Sequence, residues 1–172
     1  GLLSSFAFAP TLIFPFLMTG ISVLLFYIRV AKTKKEAFVN AWIFGFTHFL
    51  SGLYWISVGI TVYIDQFWWA IPFALCGLPI YFAFFVSITA IITRQIPTKN
   101  NLVFVYLFSV TWIILEWVRS WLFTGFPWNL AGYAFCFSDI ILQLSSVTGT
   151  YGLSFLAIFF SSNLYFLFIR DK

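Results

Sequence analysis

Charge is what this sequence has least of. Of its 172 residues only 8% are charged, 9 basic and 5 acidic, against roughly 25% in an ordinary soluble domain. So few charges cannot coat a water-facing surface, and a soluble fold is excluded. Cysteine is almost as scarce. Cys76 and Cys136 are too few and too far apart for a disulfide framework or a metal cluster, and a buried structural thiol is the expectation for both. The sequence carries a single histidine, His48, and no motif for metal, nucleotide or dinucleotide binding, so no cofactor is expected. A net charge of +4 in a soluble chain invites nucleic acid; here the basic residues fall in short segments between apolar runs, where they act as topology signals, and no nucleic-acid partner is expected. With no Gly/Ser linker, low-complexity tract or repeat, residues 1–172 read as one membrane domain.

What is abundant is apolar surface: 62% hydrophobic residues, 24% aromatic, and a mean hydropathy of +1.01. Charge-free stretches run over 1–28, 37–64, 66–93, 100–115 and 140–169, and most exceed the ~20 residues a spanning helix needs. Pro10 and Pro15 break the first stretch. Residues 1–9 therefore read as the end of a truncated helix, and complete spans are expected at about 12–28, 37–60, 68–93, 102–122 and 151–169. The expected fold is an all-α, polytopic transmembrane bundle of about five complete spans plus that truncated first helix. Residue 1 is Gly, and an apolar run follows it without a basic leader region, so the chain reads as a fragment rather than as one opening on a signal peptide.

The basic residues alternate along the chain. Arg29, Lys32, Lys34 and Lys35 sit in one connection, Arg94 and Lys99 two spans later, Arg170 and Lys172 two spans after that. These three sites fall on one face, which the positive-inside rule makes cytoplasmic. The connections at 61–67 and 123–150 then face outward, and the second, rich in Phe, Trp and Gly, is expected at the outer interface.

Glu116 and Arg119 are the one acid and one base within an expected span, and their i, i+3 spacing puts them on one face of a helix. Two readings stay open: Glu116 locks helices while Arg119 snorkels to the interface, or the pair recognises a headgroup or substrate, with Arg119 suited to a lipid phosphate. The run Trp121-Leu122-Phe123-Thr124-Gly125-Phe126-Pro127-Trp128-Asn129 follows, where Gly and Pro stop the helix and Phe126 and Trp128 supply flat apolar surface, either as an aromatic belt or as a guide for acyl chains. In the second complete span Ala41, Gly45, His48, Gly52, Trp55 and Gly59 make a stripe of close packing. His48 on that stripe reads as a core histidine hydrogen-bonded across helices. Pro72 and Pro79 are expected to kink the third span.

From Glu116-Trp117-Val118-Arg119 through Thr124-Gly125-Phe126-Pro127-Trp128 the chain resembles the membrane domain of the apolipoprotein N-acyltransferase family. Ala7-Phe8-Ala9-Pro10, Ser51-Gly52-Leu53-Tyr54-Trp55 and Gly149-Thr150-Tyr151-Gly152-Leu153-Ser154-Phe155 are similar too, in the family's order. The pattern departs at Ser120, where many relatives have Gly, a change expected to loosen close packing. The resemblance implies a multi-pass enzyme of the bacterial cytoplasmic (inner) membrane, acting as a monomer. It would move an acyl chain from a phospholipid donor to the N-terminal diacylglyceryl-cysteine of a lipoprotein acceptor, with the 123–150 segment on the periplasmic side. It also implies that catalysis belongs to a Glu-Lys-Cys triad in a nitrilase-like domain absent from this chain. No residue here is then catalytic, and the chain alone is inactive. Glu116, Arg119, Thr124, Gly125, Phe126, Pro127, Trp128, Tyr54 and Trp55 are left as candidates for positioning lipid. The competing classes are a small-molecule transporter and a structural membrane protein; a coupled carrier should show more intramembrane carboxylates or histidines than Glu116 and His48.

Overall fold

The computed structural model describes residues 1–122, 125 and 127–169, and among them every regular element is helical. After a 3₁₀ turn at Leu3–Ala7 come α1 (Pro15–Val30), α2 (Lys34–Ile60), α3 (Ile64–Phe67), α4 (Leu78–Gln95), α5 (Asn101–Arg119), α6 (Asp139–Leu142), α7 (Ser145–Ser161) and α8 (Tyr165–Phe168). Among the described residues four helical stretches are long and apolar enough to cross a membrane, and α1 is a shorter apolar helix beside them. The bundle is the expected all-α one, with several boundaries moved for identifiable reasons.

The helix starts follow local chemistry. α1 begins at Pro15, where the missing N–H costs nothing in the first turn. α2 begins earlier than expected because Thr33 caps it: the Glu36 N–H donates to Thr33 Oγ1 at 3.1 Å, and Glu36 Oε2 accepts the Lys32 N–H at 2.7 Å. Asn100 caps α5 by accepting from the Leu102 and Val103 N–H groups. Residues 61–67 are not the loop expected but further short helical turns, Thr61–Tyr63 and α3. The span expected at 68–93 is broken. A 3₁₀ turn at Trp68–Ala70 and a π turn at Phe73–Gly77 precede α4, and the π turn accommodates Pro79 just beyond it, at the start of α4. That turn also leaves Cys76 exposed; Cys136 is exposed as well, against the expectation of burial. The last span is interrupted at Gly149, whose φ of 68° and ψ of 174° are not helical.

Packing centres on α2 against α4, the most extensive helix–helix contact, with α1, α5 and α7 completing the bundle. Leu17, Ile21, Leu24, Leu25 and Ile28 form the buried face of α1 at helical spacing. They share a core with Phe82, Phe104, Phe108, Leu153 and Ile158. Hydroxyls tie helices together: Ser22 Oγ donates to the Ser161 carbonyl at 2.8 Å, and Ser87 Oγ to the Phe38 carbonyl at 3.1 Å. His48 is 3% exposed and hydrogen-bonded through Nδ1 to Ser4 Oγ at 2.8 Å, so it is the cross-element core histidine expected. Of the small-residue stripe, Ala41, Gly45 and His48 are buried, whereas Trp55 and Gly59 are exposed.

At Gly45 the two principal helices meet so closely that an added Cβ would lie 2.9 Å from Ala83 Cα and 3.0 Å from Val86 Cγ2, while Gly59 has nothing within 4 Å. Gly45→Leu is expected to destabilise the fold by about 1–3 kcal/mol through overpacking, whereas Gly59→Ala should leave it unchanged or slightly stabilised. Thermal unfolding of the two variants in detergent micelles checks this; equal midpoints would show that the α2–α4 contact does not limit stability.

Candidate functional site

Glu116 and Arg119 lie in the last turn of α5, and neither reaches the surface: their side chains are 4% and 2% exposed. Arg119 does not snorkel. Its guanidinium sits between two rings, with Cζ 5.1 Å from the Phe49 centroid and 4.9 Å from that of Phe82, and Nη2 lies 3.8 Å from Glu116 Oε1. Such stacking suits a planar, weakly hydrated cation. A cavity of about 20 Å³ borders the pair, lined by Phe49, Thr89, Trp112 and Leu115 among others, roughly the room of one water molecule.

The carboxylate has a second task. Glu116 Oε1 accepts the backbone N–H of Ala131 at 2.8 Å and the indole N–H of Trp112 at 3.3 Å. One residue on, the Gly132 N–H donates to Ser154 Oγ at 2.8 Å. These bonds pull a 3₁₀ turn, Ala131–Phe135, into the bundle against α7, with Ala131, Gly132, Ala134 and Phe135 buried. The 123–150 segment is therefore not simply interfacial: its middle is core. Sequence reasoning missed Ala131, Gly132 and Ser154 because their parts are played by backbone groups and one hydroxyl, which leave no pattern. Ser120, expected to loosen packing, instead ties α5 to α7 by accepting the Tyr151 O–H at 2.6 Å.

Anchoring that turn sets the residues on either side of it as a wall. Trp128, Asn129, Tyr133 and Cys136 face Ser51, Gly52, Tyr54 and Trp55 of α2 and the N-terminal stretch containing Phe6, Phe8 and Pro10, and between them lies a cleft of about 960 Å³. Trp55 and Trp128 approach with ring centroids 5.2 Å apart and planes inclined at 59°. Asn129 adopts φ 53°, a left-handed conformation Asn tolerates. Its side chain lies against Gly52, where an added Cβ would stand 2.1 Å from Asn129 Nδ2. A side chain at position 52 would oblige Asn129 to shift for the wall to close on α2.

The candidates thus separate. Tyr54, Trp55 and Trp128 line the cleft, while Glu116 and Arg119 lie buried beneath its wall, away from the lining. Gly125 turns the chain at φ 81°, and Pro127 is exposed. Thr124 and Phe126 lie outside the described residues. The Phe8-Ala9-Pro10 segment, notable in the sequence as a helix break and through the resemblance, forms the cleft's third side. No group of three or more potential metal ligands occurs among the described residues.

A family model described as "Apolipoprotein N-acyltransferase N-terminal domain" matches residues 1–163. The apolipoprotein N-acyltransferase of Rickettsia bellii (strain RML369-C) is 51% identical over 171 residues, covering 99% of this chain and 34% of the relative. That of Rickettsia prowazekii (strain Madrid E) is 49% identical over 170 residues, again 99% of the chain and 34% of the relative. That of Brucella melitensis biotype 1 is 42% identical over 118 residues, 69% of the chain and 22% of the relative. The chain spans about a third of the length of the Rickettsia relatives. Matched across nearly its whole length by the domain and by the Rickettsia sequences, the chain belongs to the apolipoprotein N-acyltransferase family and corresponds to its N-terminal domain.

Proposed function

We propose that this chain is the membrane base of an N-acyltransferase that moves an acyl chain from phospholipid to the α-amino group of a lipoprotein's diacylglyceryl-cysteine. The observation that carries the reading is the apolar cleft of about 960 Å³ between α2, the N-terminal stretch and the Trp128–Cys136 wall. Both substrates of such a reaction keep their acyl chains in the bilayer, so the membrane part must present ester and amine to a nucleophile held just above it. A cleft floored by spanning helices and rimmed by Tyr54, Trp55 and Trp128 suits acyl chains below and headgroups above. We place the bond-making residues in the two thirds of the relatives' length that this chain does not span, and read the chain alone as inactive. Among the described residues no activating base is hydrogen-bonded to Cys76 or Cys136, and neither is assigned as a nucleophile.

In this reading Glu116 and Arg119 are positioning residues. They do not touch lipid; they hold the Ala131 turn, which holds Trp128 and Tyr133. The reading also sets the cleft on the periplasmic face of the cytoplasmic membrane, opposite the basic connections at 29–36 and 94–100.

In the full-length enzyme, Trp55→Ala and Trp128→Ala are expected to lower N-acylation of a diacylglyceryl peptide at least tenfold, since a misplacement of about 1 Å can cost ~100-fold. The amount of membrane-inserted protein should stay within about twofold of wild type. Loss of protein in proportion to activity would instead mark the two rings as a structural belt.

Glu116→Ala leaves Arg119 buried without its counter-charge and the Ala131 N–H without an acceptor, a loss of about 3–5 kcal/mol. Glu116→Gln keeps an acceptor oxygen and should retain part of the order of the turn. Hydrogen exchange at residues 130–136 should rise at least tenfold more in the Ala variant than in the Gln variant; equal exchange would remove Glu116 from its anchoring part.

For orientation, single cysteines introduced at positions 34 and 65 and reacted with a membrane-impermeant thiol reagent on intact cells should differ, with 65 labelled and 34 protected. Labelling of 34 from outside would reverse the topology.

A further inference from the structure

At the opposite end of the bundle, the ends of α1 and α4 and the connection into α5 enclose a second cleft, of about 520 Å³. The basic residues there read in the sequence as topology signals, but the fold brings three of them, Arg29, Arg94 and Lys99, into one lining that contains no carboxylate among the described residues. The two arginines are held in fixed poses. Arg29 Nη2 donates to the Thr98 carbonyl at 2.9 Å, and its guanidinium lies 4.8 Å from the Phe104 ring centroid. Arg94 Nη1 donates to the Ile28 and Ala31 carbonyls at 2.8 and 2.6 Å. Each pose engages one terminal nitrogen, and a guanidinium carries five N–H donors in a rigid fork. Lys99 is exposed and has no ion-pair or hydrogen-bond partner among the described residues. The rest of the lining combines Thr93 and Thr98 with an apolar wall of Ile96 and Pro97, both exposed, over the buried Phe104 ring.

We propose that this cleft binds the phosphate of an anionic phospholipid from the leaflet on the basic side of the membrane. Arg29 and Arg94 meet the phosphate as pre-set donors, Lys99 adds a mobile charge from the rim, and the acyl chains lie along the exposed Ile96 and Pro97. The shape distinguishes a lipid from a soluble anion: three cations alone would hold inorganic phosphate, but the apolar wall and the position at the ends of spanning helices match a headgroup that arrives with its chains attached. A neutral zwitterionic lipid cancels the attraction that gathers the three cations, so the selectivity is for net negative charge. The site lies at the far end of the bundle from the apolar cleft, so it does not depend on the function proposed there.

The test uses the 172-residue chain purified in phosphatidylcholine nanodiscs doped with phosphatidylglycerol, with bound lipid counted by native mass spectrometry after release. Wild type should retain phosphatidylglycerol over phosphatidylcholine. Lys99→Gln, which disturbs no intramolecular bond, should weaken that retention about fivefold, as expected for one cation near an anionic headgroup. Lys34→Gln, a basic residue of the same face outside the cleft, should leave it unchanged. Equal loss in the two variants would reduce the effect to general surface charge and overturn the site. Retention without preference for phosphatidylglycerol would overturn it as well. Inorganic phosphate at millimolar concentration should not displace the retained lipid; displacement would make the site one for a soluble anion and overturn the lipid assignment.

Discussion

Glu116 Oε1 receives the Ala131 N–H at 2.8 Å and the Trp112 indole N–H at 3.3 Å while facing the Arg119 guanidinium at 3.8 Å. In a bundle surrounded by lipid, every backbone donor that is not in a helix needs a partner from the protein, because no water stands by to supply one. A carboxylate accepts several donors at once and more strongly than a neutral oxygen. Its charge is then balanced by Arg119, which rests between Phe49 and Phe82 rather than in solvent. The arrangement makes a non-helical turn tolerable inside the bundle. The wall of the apolar cleft, from Trp128 to Cys136, exists because that turn is held.

The sequence displays its helices through length and hydropathy, and the bundle follows from them. α2 and α5 are legible almost to their caps, since Thr33 and Asn100 are the residues that end a run of solvated backbone. The break before α4 is less so. Pro72 and Pro79 announce a disturbance, but whether it becomes a kink or a π turn depends on what Phe73–Gly77 packs against, and periodicity carries no such information. The Glu116–Arg119 spacing likewise predicts a shared face without saying which way it looks. It looks inward because two aromatic rings from α2 and α4 offer Arg119 a place to stack, and those rings are distant in sequence. Trp55 and Trp128 meet for a similar reason. Gly52, one turn before Trp55, admits Asn129, and that close approach is set by the folded chain rather than by either segment alone.

The two ends of the bundle use polar groups in different ways. At the cleft end the polar groups are buried and fixed, and the apolar rings are exposed. At the basic end, Arg94 spends donors on the Ile28 and Ala31 carbonyls that close α1, and Arg29 on the Thr98 carbonyl in the connection from α4 to α5, so these cations brace the ends of the helices. Between the ends, Ser22, Ser87, Ser109 and Thr93 return their hydroxyl protons to helix carbonyls, which lets these four sit in an apolar interior with their own donors paired.

The shortness of α1 has a consequence for the membrane itself. Its 16 residues rise about 24 Å at 1.5 Å each, against a hydrocarbon thickness of about 30 Å. The shortfall of about 6 Å falls beside the N-terminal stretch that lines the apolar cleft, where the chain leaves the helical path before Pro15. Lipids next to α1 must shorten their chains or sink to match it, and hydrophobic mismatch of this kind costs only fractions of a kcal/mol per ångström. A bilayer that α1 crosses therefore either thins by about 6 Å beside the cleft or lets the ends of α1 meet its headgroup layer, so the mouth of the cleft lies where the hydrocarbon is thinnest around the bundle.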